Sequence, residues 1–500
     1  MSGTNFNLAD GFYRQVLRQP ERMALWLDGR RYSYVEIAKL SYQVAQWLVE
    51  ESSQRVGIMG DRSLESISGI LGACWAGAAF VPLNASFSES LLAKQIKKAR
   101  VDALIVDAAG RGILSESLAA HCPRRILYPK DLDGSLSVKP PQPIESGSLA
   151  YLMFTTGSTG EPKAVAVSAG SVRHYLNTMN DSYCLTPDDR LSQFFRLTFD
   201  LSVFDLFMSW ENGAGCYVIP EQERLSPAKF IQDHELTVWF STPSLIAGMK
   251  RKKFLEPGLW PSLRLSLFCG EPLPDSSARA WAAAAPNSRV ENLYGPAEAT
   301  VTCLRQVYNG HAMIPPECDI VAIGLPNTGM AAAIINPSGE FMPLGTAGEL
   351  ALAGPQLALG YWDDEEQTAA RFINSGDRRR WYRTGDFCRQ DSSGIFHFLG
   401  RVDRQIKIYG NRFELEGIEA LLRKASGSED VAAVAWPPGQ NPEGLIAFIA
   451  SQGIDDKAIM AQLARELPPA LIPLRIVVAD KLPLNSNGKI DYAALMAGLE

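Results

Sequence analysis

Between residues 55 and 98, two short apolar runs each lead into a helical pattern: 55–59 precedes 64–75, and 79–83 precedes 88–98. The rhythm returns at 236–240, 263–268 and 290–293, the last two flanking an Ala-rich helical stretch. Each helix in such an alternation carries the chain back to the same edge, so consecutive strands run parallel. The predicted fold is therefore α/β, with parallel sheets covered by helices. Ligands in such folds gather where loops leave the carboxyl ends of strands. One of these exits, Ser241-Thr242-Pro243, reads as a helix start with Thr242 as the cap and Pro243 at the first position.

At 500 residues the chain is too long for one core. Its texture changes near Gly400-Arg401-Val402-Asp403, and the remainder has the size of a small independent domain. The chain is expected to divide into 1–402 and a mobile α+β domain at 403–500, with a hinge near Asp403. A net charge of −7 argues against a nucleic-acid partner. The N-terminus lacks the basic start and apolar core of a signal peptide, and the longest apolar stretch, 67–83, is interrupted by Ser68 and Pro82. The eight cysteines stand singly, without zinc or redox spacing, and read as small buried apolar groups. A cytoplasmic protein without a membrane span is the expectation.

Chemistry concentrates in five motifs. An apolar run at 149–154 stops at Thr155-Thr156-Gly157-Ser158-Thr159-Gly160, followed by Lys163. Glycines admit close approach of a ligand, hydroxyls and free N–H groups donate, and a lysine adds charge, which suits a phosphate. The spacing is not that of a Walker A loop. Next, Val290-Glu-Asn-Leu-Tyr-Gly-Pro-Ala-Glu-Ala-Thr300 displays Asn292, Tyr294 and Glu298 around a Gly-Pro turn. An amide can read a base edge, a phenol ring can stack on it, and a carboxylate can hold Mg²⁺ on a nucleotide. Trp381-Tyr-Arg-Thr-Gly-Asp386 places a carboxylate after a turn, suited to ribose hydroxyls. The run Gly400 to Glu416 and the turn Asn485-Ser-Asn-Gly-Lys489 complete the set.

Five motifs in this order resemble the adenylate-forming superfamily, specifically the amino-acid adenylation domains of nonribosomal peptide synthetases. The resemblance runs from Tyr32-Ser-Tyr-Val-Glu-Ile37 through Leu71 to Leu83, Gly348 to Gly354 and Gly360-Tyr-Trp362, to Lys489. It implies an ATP- and Mg²⁺-dependent ligase that forms aminoacyl-AMP with pyrophosphate release. The acyl group then passes to a phosphopantetheine thiol on a separate carrier protein, in secondary-metabolite biosynthesis. It further implies that Thr155, Thr156, Gly157, Ser158, Thr159, Gly160 and Lys163 cover the ATP phosphates. Gly270 and Glu271 would contact the nucleotide, Asn292 and Tyr294 would hold adenine, Asp386 the ribose with Arg401 close by, and Glu298 the Mg²⁺. Lys489 would reach the acyl carboxylate and ribose for adenylation, then swing out about Asp403 so that a thiol can enter.

Within the resemblance, Asp200 of Phe199-Asp-Leu-Ser-Val-Phe-Asp205 pairs with the substrate α-ammonium. The other implied pocket residues are Leu201, Phe204, Phe240, Leu267, Cys269, Leu293, Val301 and Thr302, apolar apart from Thr302. Burying a charged or amide side chain there would leave its polar groups unpaired. The set is similar to that of proline-activating enzymes of pyrrole pathways, with alanine or valine as the alternative. Ala297, Asn84, Ala164, Leu359 and Phe398 depart from the usual pattern and bear on rate and nucleotide affinity. A coenzyme A ligase, a non-catalytic amino-acid sensor and an aminoacyl-tRNA synthetase are the competing readings. Asp200, the intact Lys489 and Glu298, and the acidic balance speak against them in turn. The chain carries no condensation, thioesterase or phosphopantetheine-attachment motif, so a free-standing ligase is expected.

Overall fold

A computed structural model describes residues 6–129, 137–156, 161–310, 320–374, 379–402, 405–408, 411–438, 442–451, 454–483 and 490–499. The N-terminal domain is built on two large sheets. One has nine strands, with a parallel core ordered Arg289–Tyr294, Leu265–Phe268, Val238–Ser241, Arg190–Gln193, Gly215–Val218 and Met23–Leu27. The other has seven strands, parallel through Leu149–Thr156, Ala79–Asn84, Arg55–Gly60, Ala103–Val106 and Ile126–Leu127. Apolar side chains on both faces of these strands are buried under covering helices, in one extended core shared by the two sheets and in a second cluster on the outer face of the seven-stranded sheet.

Helix starts obey local chemistry. Ser33 opens Tyr34–Val49 with a full capping box, exchanging bonds with Glu36. Ser88 caps Glu89–Ala99 through the Leu91 N–H. Thr242 precedes Pro243–Arg251 as expected, but its hydroxyl turns to Ser244 Oγ at 3.0 Å, and the Ser244 N–H donates to the Glu271 carboxylate at 2.9 Å. A full charge wins a helix N-terminus over a neutral hydroxyl.

Both large sheets also carry antiparallel strands that the alternation did not announce. The strand predicted to stop at Phe154 continues to Thr156 and pairs antiparallel with Pro162–Ser168, Thr155 opposite Lys163. Five antiparallel strands form a third sheet, in which Arg380–Gln390 pairs with Ala347–Ala353, Phe372–Asn374 and Phe396–Arg401. Among the described cysteines, Cys74, Cys216, Cys269, Cys303 and Cys388 are buried as expected, whereas Cys184 is exposed.

The C-terminal domain is smaller and α+β. The hairpin Gln405–Ile408 with Asn411–Glu414 leads into the helix Leu415–Ser426. The three-stranded sheet Val431–Trp436, Gly444–Ala450 and Arg475–Ala479 has its own buried clusters. This domain meets the other through Ser88, which donates to the Arg465 carbonyl, and through Lys94, which bridges Glu161 at 3.1 Å and Glu466 at 2.9 Å. Among the described residues no helix is long and apolar enough to cross a membrane.

Candidate functional site

The strand Arg289–Tyr294 ends in Gly295-Pro296, and a short helical turn, Ala297–Ala299, then carries Glu298. Gly295 is required there: a Cβ would stand 2.6 Å from Thr302 Cα. Asp386 lies inside the long strand Arg380–Gln390, opposite Arg401 of the next strand, not after a turn as its motif suggested. Gly385, at φ +73, supplies the kink within the strand, and its N–H donates to Glu349 at 3.0 Å. The Tyr294 hydroxyl donates to Asp386 Oδ2 and Arg401 to Oδ1, so the three predicted nucleotide residues meet.

Two adjoining cavities open on this cluster. The first, about 1400 Å³ with its open mouth included, is lined among others by Thr155, Asp200, Leu201, Cys269, Gly270, Glu298, Asp386 and Arg401. The second, about 890 Å³, is lined by Glu271, Asn292, Leu293, Tyr294 and Phe398 and shares Cys269, Gly270, Asp386 and Arg401. Asn292 donates through Nδ2 to the Val321 and Ala322 carbonyls at 3.0 and 2.9 Å, while its buried Oδ1 has no partner. A buried acceptor without a donor suits an exocyclic amine such as that of adenine. Burial pushes the Cys269 thiol up to about 12, so it is a neutral wall and not a nucleophile.

Asp200 precedes a helical segment that loosens into a π-turn at Phe204–Met208, a feature frequent at functional sites. Its Oδ2 is buried without a hydrogen-bond partner. Desolvation lifts the carboxyl to about 7, opposed by N–H groups of Val301 and Leu201 and reinforced by the charge of Glu298. The Tyr151 hydroxyl is also buried without a partner, and those of Tyr175 and Thr302 interact with each other. Phe204 and Phe240 meet edge-on at 5.2 Å between centroids. They are buried with Leu267, Val301 and Thr302, and these five line neither cavity, whereas Asp200, Leu201 and Cys269 line the first and Leu293 the second.

Glu298 is buried, and its carboxylate accepts from the Tyr361 hydroxyl at 2.7 Å. One buried carboxylate beside a cavity fits a Mg²⁺ ion held mostly by phosphate and water. Among the described residues no cluster of three or more His, Cys, Asp or Glu forms a protein-only cage. Lys163 Nζ lies 2.6 Å from Glu414 Oε1 of the C-terminal domain. Gly157, Ser158, Thr159, Gly160, Asp403 and Lys489 lie outside the described residues, and Thr156 is described only as backbone.

Sequence reasoning left four residues without a role. Lys407 lines both cavities with Nζ 6.0 Å from the Tyr294 ring centre. Ile406 and Ile408 pack into the C-terminal core, so strand alternation turns Lys407 the other way, a signal present in the sequence. Glu414, Tyr361 and Gln356 act through partners remote in sequence.

The family described as "AMP-binding enzyme" matches residues 12–362. The L-proline--[L-prolyl-carrier protein] ligase of Pseudomonas fluorescens is 30% identical over 89% of this chain and 89% of its own length. Phenyloxazoline synthase MbtB of Mycobacterium tuberculosis is 30% identical over 98% of the chain, which spans about a third (34%) of MbtB. Among solved structures, the Vibrio cholerae adenylation domain AlmE in complex with glycyl-adenosine-5'-phosphate superposes with a TM-score of 0.89. It is 32% identical and covers 99% of this chain and 98% of its own.

Proposed function

The chain belongs to the AMP-binding enzyme family, and from that premise we propose that it activates a small apolar amino acid, best L-proline, as its adenylate. The acyl group then passes to the phosphopantetheine thiol of a carrier protein. The carrying observation is the buried, unpartnered Asp200 Oδ2 in the same cavity as Glu298, Asp386 and Arg401. A buried carboxylate oxygen left without a partner calls for a charged donor, and an α-ammonium supplies one.

In this reading the adenine amine meets Asn292 Oδ1, the Tyr294 ring packs on the base, and the Asp386–Arg401 pair holds the ribose. Glu298 would hold a Mg²⁺ ion, whose chemistry is to neutralise phosphate charge. With its ammonium on Asp200, the amino acid turns its carboxylate toward the α-phosphorus. A carboxylate oxygen forms a bond to that phosphorus as the bond to pyrophosphate breaks. Lys489 offsets the charge that accumulates between two approaching anions. In the second step the thiol sulfur attacks the acyl carbon, AMP leaves with its bonding electrons, and the thiol proton is released. Rotation of the C-terminal domain near Asp403 exchanges the two settings.

Proline is favoured because its side chain carries no polar group and is compact, matching the apolar Leu201 and Cys269 that line the cavity. Alanine, valine and glycine are the nearest alternatives, since one methylene is worth only about 1–3 kcal/mol of discrimination. The test is Asp200→Ala in proline-dependent pyrophosphate exchange. Loss of a buried charge partner predicts a deficit of about 3–5 kcal/mol, at least a hundredfold in kcat/KM for proline. Unchanged proline kinetics would remove the ammonium assignment.

A further inference from the structure

The turn after Glu298 takes a conformation its residues resist. Thr300 and Val301 stand at φ +54 and +64, where β-branched side chains crowd their own backbone. Such a turn persists only where its surroundings over-determine it.

Gln356 does this from the loop between Ala347–Ala353 and Gly360–Tyr361. The residue is fully buried, and its Nε2 donates to the carbonyls of Ala299 and Thr300 at 3.2 Å each and of Thr302 at 2.9 Å. Two N–H bonds are thus shared among three acceptors. Thr300 Oγ1 returns a bond to the Gln356 carbonyl at 2.6 Å, and Asn327 Nδ2 holds the Thr302 carbonyl at 3.0 Å.

The clamp acts on one half of the turn. Glu298 is fixed by other groups, its carbonyl by the Ala358 N–H at 2.8 Å and its carboxylate by the Tyr361 hydroxyl. Val301, inside the clamped half, directs its N–H to the Asp200 carboxylate. We propose that Gln356 is a positioning residue for amino-acid binding, holding the backbone of 299–302 against Asp200 while Ala358 and Tyr361, later in the same segment, hold the nucleotide side of the turn. The inference rests on the reading of Asp200 as the ammonium partner.

The experiment is exchange kinetics on Gln356→Met, of similar length but without donors, using the amino acid that gives the strongest wild-type signal. The clamp predicts an amino-acid KM raised by about tenfold or more, the scale of a lost bond at a charged site, with ATP KM little changed. Gln356→Asn keeps the donors on a shorter arm and gives a smaller rise. A folded Gln356→Met enzyme with wild-type amino-acid KM, or with both KM values raised together, overturns the proposal. Should that variant not fold, Gln356→Asn decides in the same terms. Asp200→Asn run in parallel separates the two ideas: if it too leaves the amino-acid KM unchanged, the ammonium reading itself has failed.

Discussion

Lys163 Nζ lies 2.6 Å from Glu414 Oε1, an ion pair with both side chains largely buried that ties the antiparallel pair Leu149–Thr156 and Pro162–Ser168 to the C-terminal domain. In this arrangement the lysine assigned to the triphosphate is held by a protein carboxylate, and Lys407 faces the cavity. Under the proposed assignment of Lys163 to the ATP phosphates, ATP takes Lys163 from Glu414, which would couple nucleotide binding to the placement of the domain.

Glu414→Gln tests that coupling. Removing the competing charge leaves Lys163 to the nucleotide, so ATP KM falls several-fold in exchange assays, while transfer from preformed adenylate to carrier protein slows. An unchanged ATP KM together with unchanged transfer would show that the pair plays no part in domain placement.

Lys407→Ala addresses the same arrangement from the cavity. Lys407 stands beside Tyr294 when Glu414 holds Lys163, so its loss should slow thioester formation and leave pyrophosphate exchange nearly intact. Lys489→Ala should do the reverse. Single-turnover measurements of both steps check this, and equal losses in both steps for both variants would contradict a two-setting mechanism.

The pH dependence originates at Asp200. Its carboxyl in the folded enzyme sits at about 7 against an unperturbed value of about 3.9, desolvation being the main cause. Only the carboxylate binds an ammonium, so kcat/KM for the amino acid rises with pH through about 7 to a plateau. The stability sign is the opposite: a raised carboxyl disfavours the folded state progressively as pH climbs from about 3.9 to about 7. A bound ammonium offsets that cost, so the amino acid raises Tm more at pH 8 than at pH 5. A thermal shift larger at pH 5 would contradict the assignment.

Cys269 stands where the two cavities join. Cys269→Met adds volume to this wall without charge, so the proline signal falls and glycine or alanine gains relative rank. An unaltered amino-acid profile would place the side-chain pocket elsewhere.

The residues legible in the sequence share one property, that their chemistry is local. Asp200, Tyr294 and Glu298 sit in short motifs at or after strand ends, and Asp386 in one within a strand, each with turn or glycine residues beside it. Tyr294, Asp386 and Arg401 were assigned to one ligand and do converge. The contacts that were not legible join distant segments: Lys163 with Glu414, Glu298 with Tyr361, and Gln356 with the 299–302 turn. Residue spacing carries no record of which loops a tertiary fold will press together. The hairpin pairing Thr155 with Lys163 was missed for a related reason. A Ser/Thr/Gly-rich stretch reads as a loop from its first hydroxyl, while strand pairing carries regular backbone two residues further.

Amino-acid-dependent ATP–pyrophosphate exchange across all proteinogenic amino acids probes adenylation, the ammonium partner and the apolar pocket together. Strong exchange confined to small apolar amino acids, and highest with L-proline, is the predicted result. Exchange highest with a charged or amide amino acid, or none with any of them, would contradict it.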